Sequence, residues 1–446
     1  MSTRIAGFFN LRRDEVAPVA IAGAFFFFIL TALMMLRPAR DALGMERGLD
    51  SVRWLFIGTA VVTLLVNPLF GWMVSRLRRL SFISATYGFF ILSLLGFWAL
   101  LVFAPDAVGA RSGQVFYVWF SVFNLFVTMV FWALLADRFS SDQGKRFFAL
   151  IAVGGTLGAI FGPWLAARLA EPLGTASLLP LACGFLALAI VMAWLLVRVQ
   201  PDRHAEAEAA APTPNARTAE HERIGGSAWA GFRAVFASPY LLGIAGYVVI
   251  MTVVATFIYF TRLQMVAAAE TDLDARTGLL GSIDMWTQVA VLVLQVTLTG
   301  HIIRRLGLGV ALALLPIAMA VGFIGLAIYG SFLVLILLEA TNRAVQRGLT
   351  RPARETLFTV VGREDKYKAK AFIDTFVYRV GDVVGAQTEG LLGRLGLALG
   401  GLVSVVVPLA LVWAALGLWL GRAQQRRSQA EGTVTRAPVG PGPEPR

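Results

Sequence analysis

The chain of 446 residues is 57% hydrophobic and 15% charged, with a mean hydropathy of +0.72; soluble domains sit near half apolar and a quarter charged, so an ordinary soluble enzyme is excluded. The net charge of +12 does not mark a nucleic-acid binder, because the basic residues punctuate long apolar runs and do not gather on solvated faces. Cys183 is the single cysteine, which leaves no internal disulfide, and His204, His221 and His301 are too scattered to build a catalytic triad or a zinc site.

A transmembrane helix needs about 20 apolar residues to cross roughly 30 Å of hydrocarbon. Apolar runs predict spans over 16–36, 53–74, 82–104, 115–136, 147–167 and 176–198. The first run is too long for a signal-peptide core and has no small-residue cleavage site, so it is expected to stay in the membrane. A polar Ala/Glu/Pro-rich stretch at 199–235 then reads as a flexible cytoplasmic linker. Six further spans follow at 239–261, 277–299, 308–329, 332–350, 371–392 and 397–420, with a disordered tail over 423–446. The expected fold is an all-α polytopic membrane protein of twelve helices, arranged as two six-helix bundles at 1–198 and 236–422.

Segments assigned to the cytoplasm carry roughly three times the basic residues of the exterior loops, which places both termini inside. Arg76-Leu77-Arg78-Arg79 and the cluster from Arg343 to Lys370 are the strongest local instances. A bacterial inner membrane is the expected location. A weak internal repeat supports two halves of like orientation. Gly71 to Leu77 corresponds to Gly300 to Leu306, and Gly154, Gly158 and Ala159 correspond to Gly381, Gly385 and Ala386 at nearly the same offset.

This organisation resembles the major facilitator fold. Gly71 to Arg79 is similar to that superfamily's loop between helices two and three, with Ser75 at the usual aspartate. Gly154, Gly158, Gly162 and Pro163 resemble its helix-five antiporter motif, or simply allow tight helix packing. A closer resemblance is to the nucleotide transporter family, the ATP/ADP translocases of plastids and intracellular bacteria. It is carried by Leu36-Arg37 with Arg40-Asp41 and Leu43, by Phe116-Tyr117 through Phe131-Trp132 to Lys145-Arg146-Phe147, and by Pro352, Glu355, Lys368, Lys370, Asp374, Arg379 and Gly381. The resemblance implies alternating-access transport and ATP:ADP exchange. Two departures concern the substrate: the family's helix-four glutamate has no counterpart near Phe120, Ser121 and Asn124, and its helix-eleven lysine is replaced by Asp382.

Charges inside the bilayer cost at least about 2.5–3.5 kcal/mol and face partners or wet cavities. Asp284, Glu339, Asp374, Arg379 and Asp382 are such positions. On a regular helix Asp374, Tyr378 and Asp382 share a face, and Arg379 reaches Asp382. Glu339, Arg343, Arg347 and Arg351 form a stripe in span ten, of which Arg343 and Arg347 are assigned to the cavity and Arg351 and Arg354 to positive-inside anchoring. Arginine suits phosphate or carboxylate through its planar, permanently charged fork. Arg37, Arg40 and Arg53 lie on the exterior side against the topological trend, either as an entrance funnel for anions or paired with Asp41, Glu46 or Asp50.

The candidate substrate-binding residues are therefore Arg37, Arg40, Arg53, Asn124, Arg343, Arg347 and Arg379. The candidate coupling or gating residues are Asp284, Glu339, Asp374 and Asp382. The partners expected are a small anionic solute, the lipid bilayer and a coupling proton or sodium ion. No cofactor, metal or nucleic acid is expected, and a monomer is the expected state. The principal reading is secondary active transport of an anionic, phosphorylated or nucleotide-like solute. Proton-coupled transport of another organic anion, transport of a lipid or other amphipathic molecule, and a non-transporting membrane scaffold are the alternatives.

Overall fold

The computed structural model describes residues 12, 15–76, 79–200, 228–298, 307–397 and 399–434. Within hydrocarbon every backbone N–H and C=O must be satisfied inside its own segment, so apolar runs of this length become helices. In chain order they are α1 (Val16–Met45), α2 (Leu49–Arg76), α3 (Arg79–Phe103), α4 (Pro105–Arg138), α5 (Ser141–Leu173), α6 (Leu178–Val199), the short α7 (Ala228–Ala237), α8 (Pro239–Ala269), α9 (Leu273–Leu298) and α10 (Leu308–Tyr329). Then α11 (Phe332–Val345) runs through a π turn, π1 (Gln346–Thr350), into α12 (Arg351–Leu357), and α13 (Arg363–Phe372) runs through π2 (Ile373–Val377) into α14 (Tyr378–Arg394). The last helix is α15 (Leu399–Val434).

Ten of these helices are long and apolar enough to cross a membrane. The two π-interrupted helices occupy the positions of the remaining expected spans, so twelve helices follow one another among the described residues as the hydropathy reading requires. No strand occurs among the described residues. The interruption in π1 has a local cause: Pro352 lacks an N–H and its ring conflicts with the carbonyl four residues earlier, a conflict that a wider turn relieves. The turn is closed by the Arg351 N–H donating to the Gln346 carbonyl.

Two expected boundaries need correction. The segment read as linker over 199–235 is helical from Ala228, because Phe232, Val235 and Phe236 recur at helical spacing and Gly231 lets α7 settle on α13, where a Cβ would lie 2.6 Å from the Lys368 carbonyl oxygen. Residues 201–227 of that linker lie outside the described residues. The tail read as disordered from 423 continues as helix to Val434, with the Arg427 guanidinium 4.5 Å from the Tyr240 ring centroid; residues 435–446 lie outside the described residues. The side chains of the loop motif from Gly71 to Arg79, and its repeat partner at 300–306, lie outside them as well.

Internal packing divides the chain into two compact units: the described residues of 1–222 with 261–290, and those of 223–260 with 291–446. In the first unit α1 is the central post. Phe25 and Phe26 pack on Phe131 at 5.1 and 4.4 Å between ring centroids, and the buried Tyr87 hydroxyl donates to the Val127 carbonyl at 3.2 Å. Along α5, a Cβ on Gly154 would collide with the Gly23 carbonyl oxygen, and one on Gly158 with that of Phe27. The Arg146–Glu15 ion pair at 2.6 Å closes one end of this seam.

The second unit repeats the device. Gly381 and Gly385 of α14 lie against α8, where an added Cβ would collide with Thr252 Oγ1 at the first position and lie 2.9 Å from Thr256 Cβ at the second. Thus the glycines that correspond in the internal repeat perform the same close approach to the first long helix of their own half. The wholly buried Trp413 of α15 packs on Tyr247, whose hydroxyl donates to the Leu312 carbonyl at 2.8 Å.

Backbone-to-backbone seams do not tolerate a methyl group. Gly154→Ala is expected to lower stability by about 1–3 kcal/mol, the usual penalty of overpacking. Gly88→Ala, at a helical glycine with no neighbour within 4 Å of an added Cβ, is expected to cost nothing. Thermal unfolding of both variants in detergent checks the contrast.

Candidate functional site

Among the described residues, two groups of charged side chains stand out, one in each unit. The first lies where α1 ends. The Leu36 to Leu43 motif is helical, so Arg37, Arg40 and Asp41 project from consecutive turns of α1. Arg262, on α8, is wholly buried and donates to two carboxylates: Nη2 to Asp41 Oδ2 at 2.5 Å and Nη1 to Asp284 Oδ1 at 2.8 Å. Arg40 donates through Nε to Asp41 Oδ1 at 2.9 Å, and Arg37 Nη1 lies 3.6 Å from Asp284 Oδ1. The charges therefore alternate along Arg40, Asp41, Arg262, Asp284 and Arg37. The Arg40 guanidinium also lies 4.6 Å from the Tyr117 ring centroid and 5.1 Å from that of Phe120, where the ring faces favour a cation.

The second place is a cavity of about 520 Å³ within the second unit. One wall comes from π1 and α12, which contribute Gln346, Arg347, Thr350, Arg351, Arg354 and Glu355. The other comes from α13, π2 and α14, which contribute Lys370, Asp374, Tyr378, Arg379 and Asp382, and Met251 of α8 completes the lining. Three cations are tied to acids: Arg354 to Asp374 at 3.1 Å, Lys370 to Glu355 at 2.6 Å and Arg379 to Asp382 at 3.3 Å. Arg354 also donates to the Tyr378 hydroxyl at 2.6 Å. Among the described residues, Arg347 and Arg351 have no carboxylate within 4.0 Å. Each acid of the lining is already engaged, so the cavity holds a surplus of two positive charges.

The structure thus brings Arg347, Arg379, Asp374 and Asp382 of the expected site together. It sets Arg37, Arg40 and Asp284 in the alternating cluster of the first unit, and pairs Arg53 with Asp50 at 2.5 Å. Arg343 pairs with Glu339 at 2.7 Å, both largely buried and outside the cavity lining. Asn124 is exposed on α4 and takes part in neither group.

Reading Arg351 and Arg354 as anchoring side chains needs correction: π1 inserts a wide turn into the four-residue stripe and brings both into the cavity. Lys370 and Arg262 were missed. Arg262 follows directly on a long apolar run and is as poorly placed for the topological rule as Arg37, which was the available signal.

The residues that match the Major Facilitator Superfamily model are 7–345. Among curated proteins, the chain is 24% identical to ADP,ATP carrier protein 2 of Chlamydia pneumoniae, over 90% of this chain and 88% of that one. It is also 24% identical to ADP,ATP carrier protein 1 of Chlamydia trachomatis serovar D, over 67% and 63% respectively. Among solved structures, it resembles a single-site mutant of the nucleoside transporter NupG with a TM-score of 0.60 at 13% identity, covering 92% of this chain and 99% of that one. The POT family transporter PepTSo follows with a TM-score of 0.56 at 12% identity, covering 93% and 98%. These two likenesses concern the fold.

Breaking a buried ion pair by removing one member costs about 3–5 kcal/mol, because the other charge loses its compensation. Arg262→Gln is accordingly expected to lower the thermal midpoint strongly, and adding Asp284→Asn to it is expected to recover part of the loss. Simple additivity of the two losses in thermal unfolding would contradict this account of the cluster.

Proposed function

Since the chain belongs to the Major Facilitator Superfamily, and is an integral membrane transporter and not an enzyme, we propose that it moves an anionic, phosphorylated or nucleotide-like solute by alternating access, in exchange for a second anion. The observation that carries this reading is the surplus of two positive charges in the cavity of the second unit. Arg347 and Arg351 present planar forks that can each grip an oxyanion with two hydrogen bonds. Arg354, held between Asp374 and Tyr378, and Arg379, held by Asp382, supply further donors whose acid partners a substrate oxygen can replace.

The exchange mode follows from the cost of burial. A cavity that closes around unpaired guanidinium groups loses their hydration and gains nothing in return, whereas closing around a bound anion replaces water with counter-charge. An empty carrier would then reorient slowly and a loaded one quickly. The ADP,ATP carriers of Chlamydia, named for two such anions, agree with this class of cargo.

The cluster around Arg262 takes a different part in the proposal. Its arginines face acids and not open space, so it serves as a gate, closed when Arg262 bridges Asp41 and Asp284 and opened when that bridge parts. Glu339 with Arg343 braces the helix that carries Arg347. Two six-helix bundles, a bacterial inner membrane, cytoplasmic termini and a monomeric carrier complete the proposed setting.

The test is uptake into proteoliposomes of labelled nucleotides, other organic phosphates and dicarboxylates, with and without anion inside. Uptake is expected to rise severalfold with internal anion, and Arg347→Gln is expected to slow it at least tenfold. If no anion enters under any condition, or if empty and preloaded vesicles behave alike, the reading fails.

A further inference from the structure

The charges of the cavity are countable, and the count points to a property finer than a preference for anions. Resting on the exchange reading above, we propose that the cavity is a two-charge filter whose setting is fixed by Asp382: it selects dianionic solutes over those carrying three or four negative charges. The volume of about 520 Å³ lies within the usual range for small-molecule sites and would admit a larger polyanion, so size does not impose the limit. Charge does. Among the described residues, Arg347 and Arg351 are the cations of the lining without an acid partner, and a dianion neutralises the two together.

A third negative charge on the solute has to find a third cation. The most readily released of the paired ones is Arg379, whose bond to Asp382 at 3.3 Å is the longest of the three ion pairs in the lining. While Asp382 is ionised, releasing Arg379 to a substrate leaves the carboxylate beside that substrate, and repulsion cancels the gain. Asp382 is therefore a specificity residue: it does not hold the substrate, but subtracts one charge from what the cavity offers. Lys370 with Glu355 at 2.6 Å and Arg354 with Asp374 at 3.1 Å make the same subtraction by tighter bonds.

The test holds chemistry constant and varies charge. Binding of orthophosphate, pyrophosphate and tripolyphosphate is measured to the full-length protein in detergent at pH 7.5 without divalent cations, by ligand-induced thermal shift and by competition against whichever labelled anion the vesicles take up. AMP, ADP and ATP provide a second series on a constant organic group. A dicarboxylate such as succinate serves as the non-phosphorus dianion. The native protein is expected to prefer the dianion of each phosphate series, and to bind succinate at least as well as pyrophosphate.

Asp382→Asn is expected to raise affinity for the trianions relative to the dianions roughly tenfold, the screened effect of one neighbouring unit charge in a partly wet cavity. Arg379→Gln is expected to move the preference the other way. The double variant Arg379→Gln with Asp382→Asn restores the surplus of two and is expected to return the native order of charges, even if overall affinity falls, which a merely structural role for the pair would not produce.

If anions bind but their order is indifferent to charge, or if Asp382→Asn leaves the trianion-to-dianion ratio within twofold of native, the filter is overturned while the transport reading stands. If none of the anions binds, both are overturned. A double variant that keeps the order of either single variant also overturns the filter.

Discussion

A guanidinium group inside a membrane protein needs company, and most of what is distinctive in this molecule answers that need. The cost of an isolated charge near the bilayer centre exceeds what a few packing contacts can offset, so every buried arginine must be matched by an acid, an aromatic face, water or a ligand. The cluster around Arg262 uses the first two. Its five members alternate in sign, and Arg40, at one end of the series, rests on Tyr117 and Phe120. The cavity of the second unit uses acids for three of its cations and leaves Arg347 and Arg351 to water and ligand. The proposed roles, gate for the closed ion-pair cluster and site for the incompletely balanced one, rest on this difference.

Backbone geometry decides which arginines fall into which group. Along a regular helix Glu339, Arg343, Arg347 and Arg351 would form one stripe. The π turn at Gln346–Thr350 divides them, leaving Glu339 and Arg343 as a buried pair and sending Arg347, Arg351 and Arg354 to the cavity. The π turn at Ile373–Val377 stands on the opposite wall, between Lys370 and Tyr378. Both walls of the cavity thus contain a departure from α-helical geometry, as functional sites in helical proteins frequently do.

Much of the architecture was legible in the amino-acid sequence because hydrophobic length and positive-charge bias are crude, additive signals. The twelve helices, the glycine repeat and the Arg379–Asp382 contact all follow from spacing on ideal helices. The sequence was less informative where a residue's role depends on a partner far along the chain, or on a helix that is not ideal. Arg262 is paired with Asp41, more than two hundred residues away, and its one local signal, a cation directly after a long apolar run, does not name that partner. Arg351 and Arg354 look like ordinary cytoplasmic anchors until π1 rotates them. The α7 helix was hidden by the polar residues before it, and the end of α15 by a run of glutamines and arginines that form a helix as readily as they solvate a tail.

The glycine seam of the second unit has a mechanical consequence. Arg379 and Asp382 alternate along α14 with Gly381 and Gly385, which bring that helix close against α8, where the Thr252 and Thr256 side chains fill the seam. Long side chains can change rotamer to take up strain, but a β-branched threonine has few rotamers, and the Thr252 hydroxyl is already tied to the Val248 carbonyl. The wall bearing Arg379 and Asp382 is therefore stiff, like an anvil, and under the proposed transport reading a solute would be met by adjustment of the facing wall, where Arg347 and Arg351 stand on a helix that already carries a widened turn.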